Sequence, residues 1–133
     1  MAEPENPPLI RVQLFLKKQD RVSDEFFHNY WKDNHVKVAL SNQKFRERVV
    51  RYNQFHTSPK LREAAKGFKI PVPDYDGIAE VWVKDLETWI GIASDLDFQA
   101  AIKPDEDHFI QAPIEIMLGY DNTVIGESIR AKE

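Results

Sequence analysis

The sequence of 133 residues predicts one α+β domain, in which helices cover one face of an antiparallel sheet. Three observations carry this prediction. Four short segments alternate apolar and polar residues with the period of two of a half-buried strand, and two longer segments have the spacing of amphipathic helices. The order is strand, helix, strand, strand, helix, strand, without a linker that would separate two domains. Hydrophobic residues make up 42% and charged residues 30% of the chain, the balance of a globular protein.

The first strand and the first helix have the clearest patterns. Apolar residues occupy every second position of the segment Leu9–Lys17, which predicts the first strand there. Ser23 precedes two acidic residues, as an N-cap residue does when charges follow that suit the positive end of a helix dipole. The helix that begins there has an apolar face at spacings of three and four: Phe27, Trp31, Asn34, His35 and Val38.

The middle of the chain predicts two further strands with an insertion between them. Val49–His56 alternates again, and Ile78–Val83 is rich in β-branched and aromatic residues. Residues 58–76 are interpreted as the insertion. It begins as a short amphipathic helix, which Gly67 is expected to close in a left-handed conformation, and continues as a connection that bears proline.

The last third of the chain predicts one helix and one strand. Leu86–Ile102 has helical apolar spacing, and Pro104 with the acidic residues after it is expected to end that helix. Beyond Pro113 a fourth alternating segment predicts the last strand. Residues 1–8 and 122–133 are expected to be loosely ordered tails of a domain that spans residues 1–133.

This element order is the split βαβ arrangement of the ferredoxin-like fold, whose antiparallel sheet carries helices on one face. The other face is left uncovered. Two-fold pairs are the most frequent oligomers, and a second copy of the chain would cover that face. The sequence therefore predicts a homodimer.

Composition and charge argue against several classes of function. The net charge is −4 without a basic run, so nucleic acid is not an expected partner. No apolar stretch approaches the roughly 20 residues that span a bilayer, and the acidic start is unlike a signal peptide, so no membrane partner and a cytoplasmic location are expected. There is no cysteine to supply a thiolate nucleophile or ligand. Without a glycine-rich phosphate loop or a dinucleotide fingerprint, no nucleotide or flavin cofactor is expected.

Three residues of the first helix are candidates for a pocket wall. His28, Trp31 and His35 lie on adjacent turns, where an imidazole could give or take a proton at neutral pH. The same spacing also fits a buried histidine among core aromatics, so both interpretations stay open. The two histidines are seven residues apart, about 10 Å along a helix axis, which is too far for one metal ion.

Other polar residues have two interpretations each. Tyr52 and His56 share one face of the second strand, where they either contact a ligand or form a polar row toward solvent or the second subunit. Glu80 lies between apolar neighbours and is either a buried acid with a raised pKa or the partner of an arginine on the second strand. The stretch 105–108 holds either a histidine–carboxylate pair or a solvated turn.

Four segments resemble the EthD domain family, a branch of the dimeric α+β barrel proteins. The first helix, Glu25-Phe-Phe-His-Asn-Tyr-Trp-Lys-Asp-Asn-His35, is similar to the family's tyrosine–tryptophan to histidine signature. Arg51–His56, Tyr75–Trp82 and the stretch Asp107-His-Phe109 fall where the family has its second strand, third strand and acid–phenylalanine loop. The resemblance covers most of the chain and implies that two ferredoxin-like subunits pair into a dimeric α+β barrel.

Within this family the sequence is similar to stand-alone fungal proteins of aromatic polyketide pathways. Those proteins remove the carboxyl group of atrochrysone-type or related anthraquinone carboxylic acids. The resemblance therefore implies a carboxy-lyase of secondary metabolism that needs no cofactor. Three alternatives remain open: a cofactor-independent anthrone oxygenase, a non-catalytic accessory protein that binds a polyketide, and a cyclase or dehydratase.

The decarboxylase hypothesis assigns roles to individual residues. His35 gives a proton or a hydrogen bond to the substrate ketone, and Tyr52 or His56 is a second donor. The proposed substrate-binding side chains are Phe27, His28, Trp31, Glu80, Trp82 and Asp107. Among them, Phe27, Trp31 and Trp82 stack on the planar polyketide.

Overall fold

A computed structural model describes residues 8–129 and confirms the α+β class. Its strands are β1 (Ile10–Leu16), β2 (Val49–His56), β3 (Gly77–Val83) and β4 (Glu115–Gly119). They form one sheet in the order β2-β3-β1-β4, in which every neighbouring pair is antiparallel. This is the ferredoxin-like order, with the first and third strands in the centre.

The helical segments are α1 (Asp24–Tyr30), α2 (Val36–Ser41), α3 (Gln43–Arg48), α4 (Pro59–Ala65), α5 (Leu86–Ala93) and α6 (Leu96–Glu106). A π-helical turn, Trp31–His35, joins α1 to α2. Ser23 caps α1 as predicted, because its Oγ accepts a hydrogen bond from the backbone N–H of Phe26 at 3.0 Å. Within residues 8–129 no helix has both the length and the apolar character needed to cross a membrane.

The predicted helix Leu86–Ile102 is wrong in its extent, because two helices occupy this stretch. The chain turns at Ser94, and Asp95 begins α6 by accepting a hydrogen bond from the backbone N–H of Phe98 at 2.9 Å. An aspartate that caps a helix satisfies an amide that would otherwise lack a partner. The apolar spacing continues across the break and conceals it in the sequence.

Two predicted helix ends also differ from the structure. Pro104 lies inside α6, which continues to Glu106. Gly67 does not adopt a left-handed conformation; Lys69 does, with φ of 59°, at the end of a 3-10 turn that follows α4. The predicted tails fall partly outside the described residues, at 1–7 and 130–133. Residues 122–128 are exposed and belong to no helix or strand.

The sheet has two different faces. The first, which we call the helix face, packs its apolar side chains against the helices; it includes Val12, Leu16, Ala79, Val81 and Val83. The second, which we call the open face, carries Arg11, Gln13, Asn53, Glu80 and Trp82, and the insertion reaches it where the Tyr75 ring packs 5.3 Å from that of Phe15. The candidate site lies on the helix face.

Candidate active site

A cavity of about 330 Å³ lies between the helix face of the sheet and the helices. Its volume falls at the lower end of the range of small-molecule pockets. Most of its walls are apolar, and they include Leu14, Ala79 and Val81 from the sheet and Trp31, Phe98 and Ile102 from the helices. Such walls remove water from any molecule that enters.

Polar side chains reach this cavity from three elements. His35 comes from the π-helical turn and Tyr52 from β2. Gln99, Lys103 and Glu106 come from α6, where their spacing of four and three residues places them on one side of the helix. The cavity therefore combines apolar walls with a few polar groups, the usual composition of a ligand site.

The buried imidazole of His35 is held by Asp105. Its Nδ1 lies 2.6 Å from Oδ2 of Asp105, while Oδ1 of the same carboxylate accepts a hydrogen bond from the Tyr30 hydroxyl at 2.6 Å. An ionised carboxylate only accepts hydrogen bonds, so Nδ1 of His35 carries the hydrogen and Nε2 has a free lone pair. Burial lowers the pKa of His35 more than Asp105 raises it, so the ring is neutral at pH 7. His35 thus offers the cavity an acceptor, whereas the decarboxylase hypothesis assigned it the role of a donor.

Glu106 follows Asp105 in α6 and has a different environment. It is half-buried and lines the cavity. Burial and, to a lesser extent, repulsion by Asp107 and Asp105 raise its pKa to about 7, against the opposing effect of Lys103. A substantial fraction of Glu106 is therefore protonated at neutral pH.

Tyr52 supplies a hydroxyl from the sheet side. Burial raises its pKa, and the side chains of Gln54 and Trp31 reduce this rise by favouring the phenolate. The phenol is therefore protonated at neutral pH and can donate a hydrogen bond.

His28 and His56 lie behind the indole of Trp31 and do not line the cavity. The rings of His56 and Trp31 are 4.3 Å apart between centroids, and Nδ1 of His28 is 2.6 Å from Nδ1 of His56. Burial lowers the pKa of His28, and burial together with repulsion by His28 and Lys32 lowers the pKa of His56 to about 4. This pair supports the Trp31 wall from outside.

Hydrogen bonds determine which nitrogens of this pair carry hydrogen. The Gln54 amide donates to the carbonyl oxygen of Trp31 at 3.1 Å, which turns its own oxygen toward Nε2 of His56 at 2.9 Å. His56 therefore donates through Nε2 and accepts through Nδ1, and His28 donates through Nδ1. Nε2 of His28 is left as a buried acceptor without a hydrogen-bond partner among the described residues.

The remaining predicted substrate contacts lie elsewhere. Phe27 is fully buried, with its ring 5.4 Å from that of Phe109. Trp82 lies on the open face between the guanidinium groups of Arg11 and Arg51, at 4.8 and 4.9 Å from its ring. Asp107 is exposed on the surface. The structure does not bring these residues into the cavity.

Glu80 is also on the open face and is 4% exposed. Burial raises its pKa, but hydrogen bonds from Gln13, Asn53 and Arg11 outweigh burial and leave the pKa below its usual value. Of the two interpretations, pairing with an arginine is correct and the raised pKa is wrong, but the partner is Arg11 of β1 instead of an arginine of β2. Glu80 is an ionised group that holds three strands together.

The residues that complete the site, Tyr30, Asp105 and Glu106, were not predicted as site residues. The stretch that holds the two acids was noted as a candidate, but ending the helix at Pro104 placed it in a turn. A helix extended through Pro104 puts Glu106 on the same side as Lys103 and so predicts its place in the cavity. Tyr30 belongs to the tyrosine–tryptophan to histidine signature, but no local signal assigned it a role, because it reaches Asp105 across 75 positions of sequence.

The side chains of the described residues do not form a metal site. Within residues 8–129 no three histidine, cysteine, aspartate or glutamate side chains lie close enough together to hold a metal ion. The His35 imidazole instead bonds to Asp105.

Comparison with known proteins identifies a family and a fold. The family model described as the EthD domain matches residues 19–113, well over half of the chain. A search of curated proteins found no match.

Solved structures share the fold at low sequence identity. A dimeric ferredoxin-like protein of unknown function from Bacteroides fragilis has a TM-score of 0.59 at 8% identity, covering 87% of this chain and 99% of its own. An EthD family protein from Bacillus halodurans has a TM-score of 0.57 at 12% identity, and the match covers 86% of this chain and 99% of that protein. A DABB family protein from Mesorhizobium loti has a TM-score of 0.59 at 12% identity, and the match covers 87% of this chain and 99% of that protein.

Proposed function

The chain belongs to the EthD domain family, and on that premise we propose that it is a cofactor-independent decarboxylase of an aromatic polyketide carboxylic acid. The observation that carries the proposal is an apolar cavity into which a neutral histidine and a protonated tyrosine project, His35 and Tyr52. A planar, mostly apolar acid with a few oxygen substituents is complementary to such a site. The resemblance to fungal polyketide decarboxylases supports the choice of reaction.

The apolar walls favour the loss of carbon dioxide. A carboxylate that enters the cavity loses its water shell, whereas the charge in the transition state is spread over the ring system and the departing carbon dioxide is neutral. Removal of water therefore raises the free energy of the bound carboxylate more than that of the transition state. No cofactor is needed for this effect.

The two polar residues act on the oxygens of the substrate. As the bond to the carboxyl carbon breaks, its electron pair moves toward the ketone β to it and forms an enolate. The Tyr52 hydroxyl donates a hydrogen bond to that oxygen, which stabilises the developing charge. Nε2 of His35 accepts a hydrogen bond from a hydroxyl of the polyketide and so orients the ring, while Asp105 fixes the imidazole.

The test is incubation of the purified protein with a panel of polycyclic β-keto acids, without added metal, under air and under nitrogen. Decarboxylation lowers the product mass by that of carbon dioxide and proceeds equally under both gases. His35→Ala should lower kcat by about 10² or more. Normal turnover by His35→Ala contradicts the assignment of this cavity, and binding without conversion identifies a non-catalytic accessory protein instead.

One observation favours a second candidate, a cofactor-independent anthrone oxygenase. A neutral His35 anchored by Asp105 is also a base that can remove a proton from the central ring carbon of an anthrone. The resulting carbanion would reduce dioxygen, with formation of the quinone and water. This reaction raises the product mass and stops under nitrogen, so the same incubations separate the two functions.

We also propose that the chain acts as a homodimer through its open face. Phe55 and Met117 are exposed there, on strands at opposite edges of the sheet. The similar structure from Bacteroides fragilis is described as dimeric. A second sheet packed on this face would bury these side chains and complete the dimeric α+β barrel.

A further inference from the structure

Decarboxylation of a carboxylate consumes one proton, and neither of the two polar residues discussed so far can supply it. The departing carbon dioxide leaves its bonding electron pair on the substrate, where a proton must replace the carboxyl group. The only N–H of the neutral His35 ring is bound to Asp105. Tyr52 has a raised pKa and does not give up its proton at neutral pH. The site needs another acid.

Glu106 is the one carboxyl group among the described residues that line the cavity. Its neighbours in the cavity wall include the apolar side chains of Ile102 and Ile110. Asp105, one position earlier on α6, instead receives hydrogen bonds from Tyr30 and His35. Asp105 thus has two donors that stabilise its charge, while Glu106 lines a mostly apolar cavity in which burial disfavours its charge more than Lys103 favours it.

Such a difference between two adjacent carboxyl groups separates their roles. Both oxygens of Asp105 are occupied by Tyr30 and His35, so Asp105 orients the histidine. Glu106 has a pKa of about 7 and exchanges its proton at neutral pH. The charged and titratable groups that act on Glu106 are Asp105, Asp107 and Lys103, and His35 shares its cavity.

We propose, given the decarboxylase function above, that Glu106 is the catalytic acid that delivers this proton. Its O–H bond breaks as the proton passes to the enolate, whose carbon finally carries it in place of the carboxyl group. Glu106 becomes a carboxylate and regains a proton from solvent, which reaches it because the side chain is only half-buried. Each turnover thus takes one carboxylate and one proton and yields one carbon dioxide and the decarboxylated product.

The test compares pH profiles of kcat/KM for the wild type, Glu106→Gln, Glu106→Asp and the matched control Glu87→Gln, an exposed residue of α5. The wild type should lose activity as the pH rises through about 7, because the acid must be protonated. Glu106→Gln should lower kcat by about 10² to 10⁴ with little change in KM, and its profile should lack this alkaline fall. Glu106→Asp should retain the fall and part of the rate, and Glu87→Gln should match the wild type.

Two outcomes overturn the inference without touching the proposed function. The first is decarboxylation by Glu106→Gln at the wild-type rate. The second is a slower Glu106→Gln whose pH profile keeps the alkaline fall, which is the result expected of a merely structural role. Carbon-13 NMR of labelled glutamate carboxyl groups gives a readout that needs no turnover. If Glu106 titrates near neutral pH and binding of anthraquinone-2-carboxylic acid displaces that titration, the result supports a protonated carboxyl group in the cavity. If Glu106 titrates at the ordinary glutamate value, the inference is overturned. Failure of every β-keto acid to react overturns the decarboxylase function itself.

Discussion

At the scale of single residues, the site depends on what the carboxylate of Asp105 binds. Each of its oxygens holds one donor, the Tyr30 hydroxyl or the His35 ring. Hydrogen bonds to a charged group are about twice as strong as those between neutral groups. Asp105 therefore determines both the orientation of His35 and which of its nitrogens faces the substrate.

Asp105→Asn should separate these effects from overall folding. An amide has one oxygen and one N–H₂ group, so it cannot accept from both donors, and it presents an N–H toward Nδ1 of His35. The ring is then expected to carry its hydrogen on Nε2, and kcat should fall by about 10² with a smaller change in KM. Steady-state kinetics measure this, with Asp97→Asn on the exposed start of α6 as the charge-matched control. Unchanged kcat in Asp105→Asn argues against an oriented His35.

The His28–His56 pair predicts a loss of stability in mild acid. The pKa of His56 is lowered to about 4, whereas an unfolded histidine titrates near 6.5. Between these values the unfolded chain binds a proton that the folded chain does not, so the free energy of unfolding falls as the pH falls from about 6.5 to 4. Because the ring is partly exposed, we expect His56 to contribute only about 1–2 kcal/mol to this loss.

Urea denaturation at a series of pH values measures the loss. His56→Gln should have a shallower dependence on pH than the wild type across this range, whatever its stability at pH 7. His108→Gln removes an exposed histidine and should leave the dependence unchanged. Parallel curves for the wild type and His56→Gln contradict the prediction.

At the scale of elements, the Trp31 wall depends on the start of β3. A Cβ atom at Gly77 would lie 2.4 Å from Cζ3 of Trp31 and 2.8 Å from the carbonyl oxygen of Phe55. Gly77→Ala should therefore lower the free energy of unfolding by about 1–3 kcal/mol, or displace the indole into the cavity and raise KM. Chemical denaturation and kinetics test this.

Gly67→Ala is the matched control for Gly77→Ala. A Cβ atom at Gly67 meets nothing within 4 Å, and the residue is not left-handed, so the change in stability should stay within about 0.5 kcal/mol. A larger loss in Gly67→Ala than in Gly77→Ala would refute the packing argument.

Elements were predictable to the extent that their patterns are local. The strands follow from alternation, which depends only on the two faces of the sheet, and the start of α1 follows from Ser23. The break before α6 and its continuation through Pro104 depend on tertiary contacts: Asp95 accepts from Asn42 and pairs with Lys44, and Asp105 holds Tyr30 and His35. Sequence periodicity does not contain such contacts.

The site was predictable only in part for the same reason. Helical spacing brought Trp31 and His35 together, and the structure places both at the cavity. Alternation alone did not determine whether Glu80 and Trp82 lie on the helix face or on the open face of the sheet, because each strand has apolar residues on both sides. The partner of His35 is 70 positions away in sequence, and only the packing of α6 against the π-helical turn brings the two together.

At the scale of the whole molecule, the open face predicts assembly. Sedimentation velocity of the wild type should give a mass twice that of the 15.5 kDa chain. Met117 is 59% exposed on this face, and Met117→Glu should yield monomers, because a carboxylate would be buried between two sheets without a partner. Leu96→Glu changes a side chain that is 78% exposed at the start of α6 and should stay dimeric. A monomeric wild type at micromolar concentration contradicts the proposed assembly.

The π-helical turn between α1 and α2 has a consequence for how such a site arises. A π-turn contains one residue more than an α-turn, and each residue of a helix rotates the chain by about 100°. Because the π-turn accommodates this extra residue within a single turn, loss of one codon within Trp31–His35 would restore an α-turn and leave α1 and α2 in nearly the same orientation. Trp31 and His35 would then be three residues apart, a spacing at which two side chains still share one face of a helix. In evolutionary terms, a one-codon insertion or deletion at this turn adjusts the wall and the base of the cavity with little effect on the helices around them.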